Sequence, residues 1–130
     1  MYDLPYFKEP DQQKLLAFMQ EFSFALITGR GDDYPVATHI PLFIEAQDNG
    51  RLRFSGHLMK KSGHHLAFEK DPHVLVVFNG PHTYVSASWY TNPQQGSTWN
   101  YMTVHAKGEM RFLPDEELPG REAGLHRAAR

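Results

Sequence analysis

The sequence predicts a mainly β protein, a small antiparallel barrel of about six strands with flanking helices. Short apolar runs separated by turn signals recur along the chain, whereas helical spacing is clear in only two places. Short hairpin loops and one helical crossover join the strands, which favours a barrel over a sandwich. A chain of 130 residues is long enough to bury one core and therefore to form a single domain.

Two segments have the apolar periodicity of a helix. Asp11 follows Pro10 in the manner of an N-cap, and apolar residues at helical spacing predict a helix over residues 11–21. A second helix is predicted over residues 60–70. Asp71-Pro72 predicts its end, because a residue before proline disfavours the helical region.

The strands are bounded by turn residues, chiefly Gly, Asn, Asp and Pro. They are predicted over residues 24–28, 34–44, 51–55, 74–78, 83–89 and 99–112. The run 74–78 is the most strand-like and is predicted to be central and buried on both faces. Pro41 removes a backbone donor and predicts an edge or a bulge. The barrel domain is placed at residues 1–113, and residues 114–130 are predicted to be a tail or a short helix.

Composition and motifs exclude several classes of protein. The absence of cysteine excludes disulfides and thiolate metal sites. With 13 basic and 15 acidic residues, the chain does not bind nucleic acid by bulk charge. No signal peptide or long apolar run is present, so a soluble cytoplasmic protein is expected. No nucleophile elbow, HExxH motif, P-loop or dinucleotide glycine motif occurs, and therefore no catalytic or metal-binding residue is predicted.

The segment Arg51–Ser62, RLRFSGHLMKKS, is the most informative part of the sequence. It reads as a strand that ends in glycine and turns into a helix whose start holds Lys60, Lys61 and Ser62. Helix N–H groups, the helix dipole and two ammonium groups together favour a phosphate site. The competing interpretation is that both lysines are solvated and Ser62 is only an N-cap.

The histidines and aromatic residues leave alternatives open. His64 and His65 are adjacent, so they diverge by about 100° on a helix and are predicted to be exposed rather than metal ligands. His39 lies beside the predicted edge and is either a ligand contact or a histidine that binds a neighbouring carbonyl. An aromatic cluster is denser than the core needs, which predicts cover by a planar ligand or a second subunit, with core packing as the alternative. It comprises Tyr84, Trp89, Tyr90, Trp99 and Tyr101.

Taken in order over residues 1–112, five motifs resemble the PaiB-like family of FMN-binding negative transcriptional regulators. They are MYDLPYFKEPD, ATHIPLF, GHLMKKS, VVFNGPHTYVSASWY and STWNYMTVHAKG. That family has the split β-barrel fold of flavin reductases and pyridoxine-phosphate oxidases. The resemblance therefore implies a homodimer that binds FMN at the subunit interface.

The resemblance also implies which residues contact the flavin. It places the phosphate at His57, Lys60, Lys61 and Ser62, and the ring along Thr38, His39 and Ile40, with cover from the TWNY segment that contains Trp99 and Asn100. The family usually has Arg and Asn where this sequence has Lys60 and Ser62, so a bidentate clamp becomes a point charge. Ala87 replaces a usual proline, and the family pattern continues with a helical segment beyond Arg130.

Three functions are compatible with these observations. One is a regulator or flavin-based sensor without turnover, and the second is a small flavin-dependent oxidoreductase of the flavin reductase or pyridoxine-phosphate oxidase type. FMN supplies the redox chemistry in the second case, so no catalytic side chain is required. The third is haem binding or degradation on the same barrel, with a histidine ligand. Recognition of nucleic acid by this chain alone has no support, because no helix-turn-helix pattern is present.

Overall fold

The computed structural model describes residues 8–92, 94 and 96–114, together with the backbone of residues 124–129. This part of the chain is mainly β, as predicted. Its helices are α1 (Gln12–Glu21) and α2 (Gly63–Lys70), and a 3₁₀ turn covers Ala87–Trp89. Its strands are β1 (Phe24–Gly29), β2 (Val36–Pro41), β3 (Phe43–Ala46), β4 (Leu52–His57), β5 (His73–Val85), β6 (Thr98–Glu109), β7 (Arg111–Phe112) and β8 (Gly124–Ala129).

The strands form one antiparallel sheet in the order β2-β1-β5-β6-β8-β4-β3, with β7 beside β8. The edge strands β2 and β3 are consecutive in the chain, with Leu42 alone between them. At this corner a Cβ on Gly56 of β4 would lie 3.1 Å from the carbonyl oxygen of Pro41, so the two edges approach each other. The sheet is therefore an open barrel, and the predicted edge position of Pro41 is confirmed.

The core lies inside the curved sheet and is supplied by inward-facing residues of β1 to β6, together with residues of the two helices. Phe54, Phe68, Phe78, Ile27 and Val76 are its largest fully buried side chains. Along β5 only every second residue of the first half is buried, and the residues between them are half-buried. The prediction that residues 74–78 are buried on both faces is therefore wrong. The described residues place no second layer on the outer face of this strand.

The sheet consists of two groups of strands that share this core. One group is β2-β1-β5-β6 and the other is β8-β4-β3. Between β6 and β8 the register contains a single residue pair, Gly108 with Ala129. Phe54 of β4 meets Phe78 of β5 edge to face, with ring centroids 5.4 Å apart. β7, which follows β6 after Met110, adds two more backbone pairs to β8. The two groups are therefore joined by a short backbone register and by side chains in the core.

Several element boundaries differ from those predicted. The predicted strand over residues 34–44 is broken at Leu42, where the chain turns from one sheet edge to the other. Conversely, β5 does not end at residues 79–81. It continues to Val85 through a register shift between Asn79 and His82. A β-bulge bends a strand without ending it, which is how Gly80-Pro81 is accommodated.

The C-terminal residues form a strand where the sequence predicted a tail or a short helix. Residues 124–129 pair with β4 over its whole length, from Leu52 with Ala129 to His57 with Gly124. Ala and Arg favour helices locally, but an unpaired edge of β4 offers a row of backbone hydrogen bonds that outweighs this preference. The remainder of the predicted tail, residues 115–123 and 130, lies outside the described residues.

Helix α1 closes one end of the barrel. Asp11 is its N-cap, as predicted, and its carboxylate accepts a hydrogen bond of 2.9 Å from the backbone N–H of Gln13. Gln20 Nε2 donates to the carbonyl of Ile44 at 3.0 Å and ties the helix to β3. A Cβ at Gly80 would lie 2.7 Å from the ring of Phe18, so glycine at the bulge lets the helix approach β5 closely.

An exposed histidine joins the end of α2 to the sheet. His73 Nδ1 lies 2.9 Å from Asp71 Oδ1, and its Nε2 lies 3.2 Å from Glu109 Oε1 on the neighbouring strand. The hydrogen bond to Asp71 raises the pKa of His73 above its ordinary 6.5. The same bond lowers the pKa of Asp71 below its ordinary 3.8.

We expect the stabilisation from His73 to depend on pH. Because its pKa is higher in the folded protein than in the unfolded chain, its contribution is complete below about pH 6 and is lost as the pH rises through the folded pKa. Thermal melts should therefore show that His73→Gln lowers Tm slightly near pH 6 and has no effect near pH 9. Burial lowers the pKa of His105, so the effect of the control His105→Gln on Tm should change with pH in the opposite direction. A His73→Gln effect that is constant with pH would contradict the assignment.

Candidate functional site

The turn between β4 and α2 has a defined backbone geometry. Lys61 has a φ of 61°, and it is the non-glycine residue with positive φ in the described chain. The hydroxyl of Ser62 donates to the carbonyl of Met59 at 2.8 Å and accepts from the N–H of His65 at 3.3 Å. Ser62 is therefore the N-cap of α2, and the helix starts three residues later than predicted because the left-handed turn precedes it.

His65 connects this turn to the body of the protein. The backbone N–H of Lys61 donates to His65 Nδ1 at 2.7 Å, and His65 Nε2 lies 2.9 Å from Glu69 Oε1. The imidazole meets the ring of Phe112 edge-on, with centroids 4.7 Å apart. Only 13% of its side chain is exposed, so the prediction that His65 is an exposed helix residue is wrong. No local pattern could predict this burial, because Phe112 is distant from His65 in the chain.

The start of α2 combines positive charge with open space. Lys60 and Lys61 are exposed, and a Cβ built on Gly63 would meet nothing within 4 Å. The first helical hydrogen bond runs from Leu66 N–H to the carbonyl of Ser62, so the amides of Gly63 and His64 precede the helical ladder. Backbone donors and the positive end of the helix dipole thus face an open region, and Lys60 and Lys61 supply two positive charges in the turn before it. This arrangement suits a phosphate group.

Strand β2 presents the other predicted contacts in two different ways. His39 is exposed on the outer face, where its ring stacks on that of Phe24 at 5.8 Å between centroids and 23° between planes. Thr38 is half-buried, and the side chain of Ile40 is 7% exposed within the core. A ligand on the outer face would therefore meet the His39 side chain and only the backbone of Ile40.

The structure brings most of the predicted site together at one end of the barrel. α2 packs against β2, and β2 lies against β4. A Cβ on Gly56 would come within 3.2 Å of Ile40 Cδ1, so the chain immediately before His57 adjoins the end of β2. His39, His57 and the turn with Lys60, Lys61 and Ser62 thus come from three neighbouring elements.

Trp99 and Asn100 lie elsewhere, on an arm formed by the C-terminal part of β5 and the N-terminal part of β6, with the segment that joins them. We define this aromatic arm as residues 82–101, and none of its described residues is buried. Tyr84 pairs with Trp99, and His82 pairs with Tyr101, across the two strands. Trp99 Nε1 donates to His82 Nδ1 at 3.0 Å and its ring stacks on the imidazole. The indole is therefore held in one orientation although 53% of the residue is exposed.

The aromatic arm is distant from β2 within one chain. β1 and β5 separate β2 from β6 in the sheet, and three strand spacings amount to about 14 Å. The register shift between Asn79 and His82 comes before the arm, beyond the last pairing of β1 with β5 at Val77. One chain therefore does not place the TWNY segment next to the start of α2.

The left-handed conformation of Lys61 leads to a stability prediction. Lys61→Gly and Lys61→Ala both remove the ammonium group, but only glycine adopts positive φ without a steric cost. We expect the glycine variant to be more stable by about 1 kcal/mol in urea unfolding. Equal stabilities of the two variants would contradict the turn geometry.

Other kinds of site find no support in the described part of the chain. Among residues 8–92, 94 and 96–114, no group of three or more His, Asp or Glu side chains is arranged to hold a metal ion. Neither of the described helices has the length and apolar character needed to span a bilayer.

Comparison with known proteins agrees with this geometry. The family described as Putative FMN-binding domain matches residues 1–123. The chain is 36% identical over 118 residues to protease synthase and sporulation protein PAI 2 of Bacillus subtilis, covering 91% of this chain and 56% of that protein. It is 31% identical over 85 residues to the uncharacterized protein YKL070W of Saccharomyces cerevisiae, covering 62% of this chain and 50% of that protein. The chain thus spans about half the length of these curated relatives.

A solved structure shares the fold at low sequence identity. It is that of a putative 5-nitroimidazole antibiotic resistance protein from Bacteroides thetaiotaomicron, with a TM-score of 0.67 and 10% identity. The match covers 93% of this chain and 81% of that one. This similarity supports the mainly β barrel, and the family match over residues 1–123 supplies the cofactor, FMN. The chain therefore belongs to the PaiB-like family of FMN-binding domains.

Proposed function

We propose that this protein is a homodimeric PaiB-like regulator or flavin-based sensor that holds FMN between its two subunits. The observation that carries the proposal is the turn at Lys60–Ser62, whose charge and open space suit the FMN phosphate, in a chain of the FMN-binding family. The cytoplasmic location expected from the sequence is part of this proposal.

The described residues fit the phosphate end of FMN. Lys60 and Lys61 supply positive charge, and the amides of Gly63 and His64 supply donors where a Cβ at Gly63 would find open space. The hydroxyl of Ser62 already donates to Met59, so Ser62 supports the phosphate site indirectly, by holding the turn and capping α2. His57 ends β4 beside this turn, in line with its predicted role.

The ring of the flavin is assigned to β2. His39 is exposed and stacked on Phe24, and together they form a flat aromatic surface at the sheet edge. An isoalloxazine ring is planar and is stabilised by such stacking. Thr38 and Ile40 contribute backbone groups at this edge, because their side chains point toward the core.

The subunit interface is assigned to the aromatic arm. Trp89 is 68% exposed, Trp99 53% and Tyr101 49%, a larger apolar surface than a monomer usually leaves open. Residues 124–129 pair with β4 at the barrel and therefore do not cover this face. A two-fold dimer in which each arm packs against the partner's barrel near β2 covers the arms of both subunits. It also brings the partner's TWNY segment to the flavin site, whereas within one chain three strand spacings, about 14 Å, separate that segment from β2.

When bound, FMN supplies the redox chemistry, and the chain's own residues bind, orient and shield it. A small flavin-dependent oxidoreductase is the second candidate function, because FMN itself supplies the redox chemistry and no catalytic side chain is required. Haem binding has less support, since the family that matches this chain is described as an FMN-binding domain.

The visible spectrum of the purified and FMN-reconstituted protein tests these functions. A flavin spectrum that NAD(P)H leaves unchanged supports a sensor, and rapid bleaching with turnover supports an oxidoreductase. A haem spectrum, or failure to bind FMN, would contradict the proposal. Light scattering on the same samples measures the oligomeric state, and a monomer would contradict the shared site.

A further inference from the structure

The turn before α2 carries conformational strain that something must balance. A left-handed backbone costs a residue with a Cβ about 1–2 kcal/mol, and such conformations persist only where the surroundings hold them. Lys61 has this conformation at φ 61° and lies in the turn that the proposed function assigns to the FMN phosphate. Hydrogen bonds hold this turn: the Ser62 hydroxyl donates to the Met59 carbonyl at 2.8 Å, and the Lys61 N–H donates to a side chain of α2.

The side chain of His65 supplies such a bond. Its Nδ1 accepts from the Lys61 N–H at 2.7 Å. An acceptor at Nδ1 requires the proton of the neutral ring to be on Nε2, where it is donated to Glu69 Oε1 at 2.9 Å. Glu69 thus selects the form of His65 that can receive the Lys61 amide.

The His65 ring is itself fixed in place. Phe112 packs against it edge-on, with ring centroids 4.7 Å apart, and only 13% of the His65 side chain is exposed. A partly buried ring with partners on both nitrogens has little freedom to rotate. Glu69 of α2 and Phe112 of β7 therefore hold the His65 ring, and the His65 ring in turn fixes the position of the Lys61 amide.

We propose that His65 is a positioning residue for phosphate recognition, holding the Lys60–Ser62 turn in its binding geometry before FMN arrives. This inference rests on the proposed FMN function. A turn that is ordered in advance loses less conformational freedom on binding, which improves affinity without a direct contact. His65 itself faces Lys61, Glu69 and Phe112 and does not need to touch the flavin.

Three variants of the full chain test the proposal. His65→Phe keeps an aromatic ring against Phe112 but removes the acceptor for the Lys61 amide. His65→Asn places an amide oxygen where it can accept that bond in place of Nδ1. His73→Phe is the matched control, because His73 lies beyond the other end of α2, where it pairs with Asp71 at 2.9 Å. For each variant, fluorescence titration gives the Kd for FMN and for riboflavin, and amide exchange by NMR gives the protection of the Lys61 N–H.

The proposal predicts about a tenfold loss of FMN affinity in His65→Phe, with riboflavin affinity unchanged and faster exchange of the Lys61 amide. His65→Asn should restore both properties to within about threefold of wild type, which general loosening of the fold would not explain. Unchanged FMN preference in His65→Phe, or equal losses in His65→Phe and His65→Asn, would overturn it. Equal affinity of the wild-type protein for both flavins would instead overturn the assignment of the phosphate to this turn. Because that result concerns the unsubstituted protein, it is distinguishable from a failure of the proposal for His65.

Discussion

Lys60→Ala is expected to weaken FMN binding about tenfold or more while leaving riboflavin binding nearly unchanged. Riboflavin lacks the phosphate, so the difference between the two flavins isolates the contact at the start of α2. A charge-assisted hydrogen bond to phosphate contributes roughly 1.5–3 kcal/mol, which corresponds to this loss. Fluorescence titration with each flavin at low and high salt measures it. The FMN preference should also fall with ionic strength, because exposed lysines are screened.

The matched control is Lys70→Ala, at the other end of the same helix. Lys70 is also exposed, and its ammonium pairs with Asp32 at 2.9 Å, away from the turn. The control should keep the wild-type preference for FMN. Lys60→Arg should tighten FMN binding, because a guanidinium binds a phosphate through two parallel hydrogen bonds. Equal binding of FMN and riboflavin by the unsubstituted protein would refute the phosphate site at this turn.

Trp99→Ala is expected to abolish the dimer at micromolar concentration and to weaken FMN binding with it. Trp99 is central to the aromatic arm, where it contacts His82 and Tyr84 and remains 53% exposed. Truncation of a central tryptophan in an interface commonly costs 2 kcal/mol or more, about a thirtyfold rise in the dimer dissociation constant. Light scattering over a concentration series, with FMN titration at the same concentrations, measures both effects.

The control for this variant is Tyr34→Ala. Tyr34 is an exposed aromatic residue, at 81%, but it lies in the loop between β1 and β2. It should leave both dimer and flavin affinity unchanged. If Trp99→Ala and the unsubstituted protein are both monomers with the same FMN affinity, the flavin site lies within one chain and the shared-site proposal is refuted. Loss of dimer without any loss of FMN binding would refute the partner's contribution alone.

Patterns within a few residues of sequence were sufficient to predict the elements that local interactions stabilise. The Asp11 cap and the spacing of apolar residues predicted α1 to within one residue, because capping and amphipathicity act within a few residues. The edge position of Pro41 followed from its missing donor in the same way. The strand at residues 124–129 could not be predicted from local sequence, because its stability comes from pairing with β4, some 70 residues earlier in the chain.

The candidate site shows the same division. Two lysines before a helix start are visible in sequence, and so the charged part of the site was predicted. The left-handed turn at Lys61 gave no signal, because no glycine or asparagine marks it and its support comes from the His65 side chain. The core position of Ile40 was likewise hidden, since it depends on which face of β2 meets the closing end of the sheet.

The thin connection between the two groups of strands determines how cooperatively the domain unfolds. Among the described residues, the backbone register between the two groups is short: Gly108 of β6 pairs with Ala129, and Arg111 and Phe112 of β7 pair with His126 and Leu125. The shared interior adds to this connection, notably where Phe54 meets Phe78. Loosening that aromatic contact should therefore make unfolding less cooperative, with the two groups of strands melting over a broader range. The cohesion of the two groups thus depends on side chains of the core as well as on the backbone.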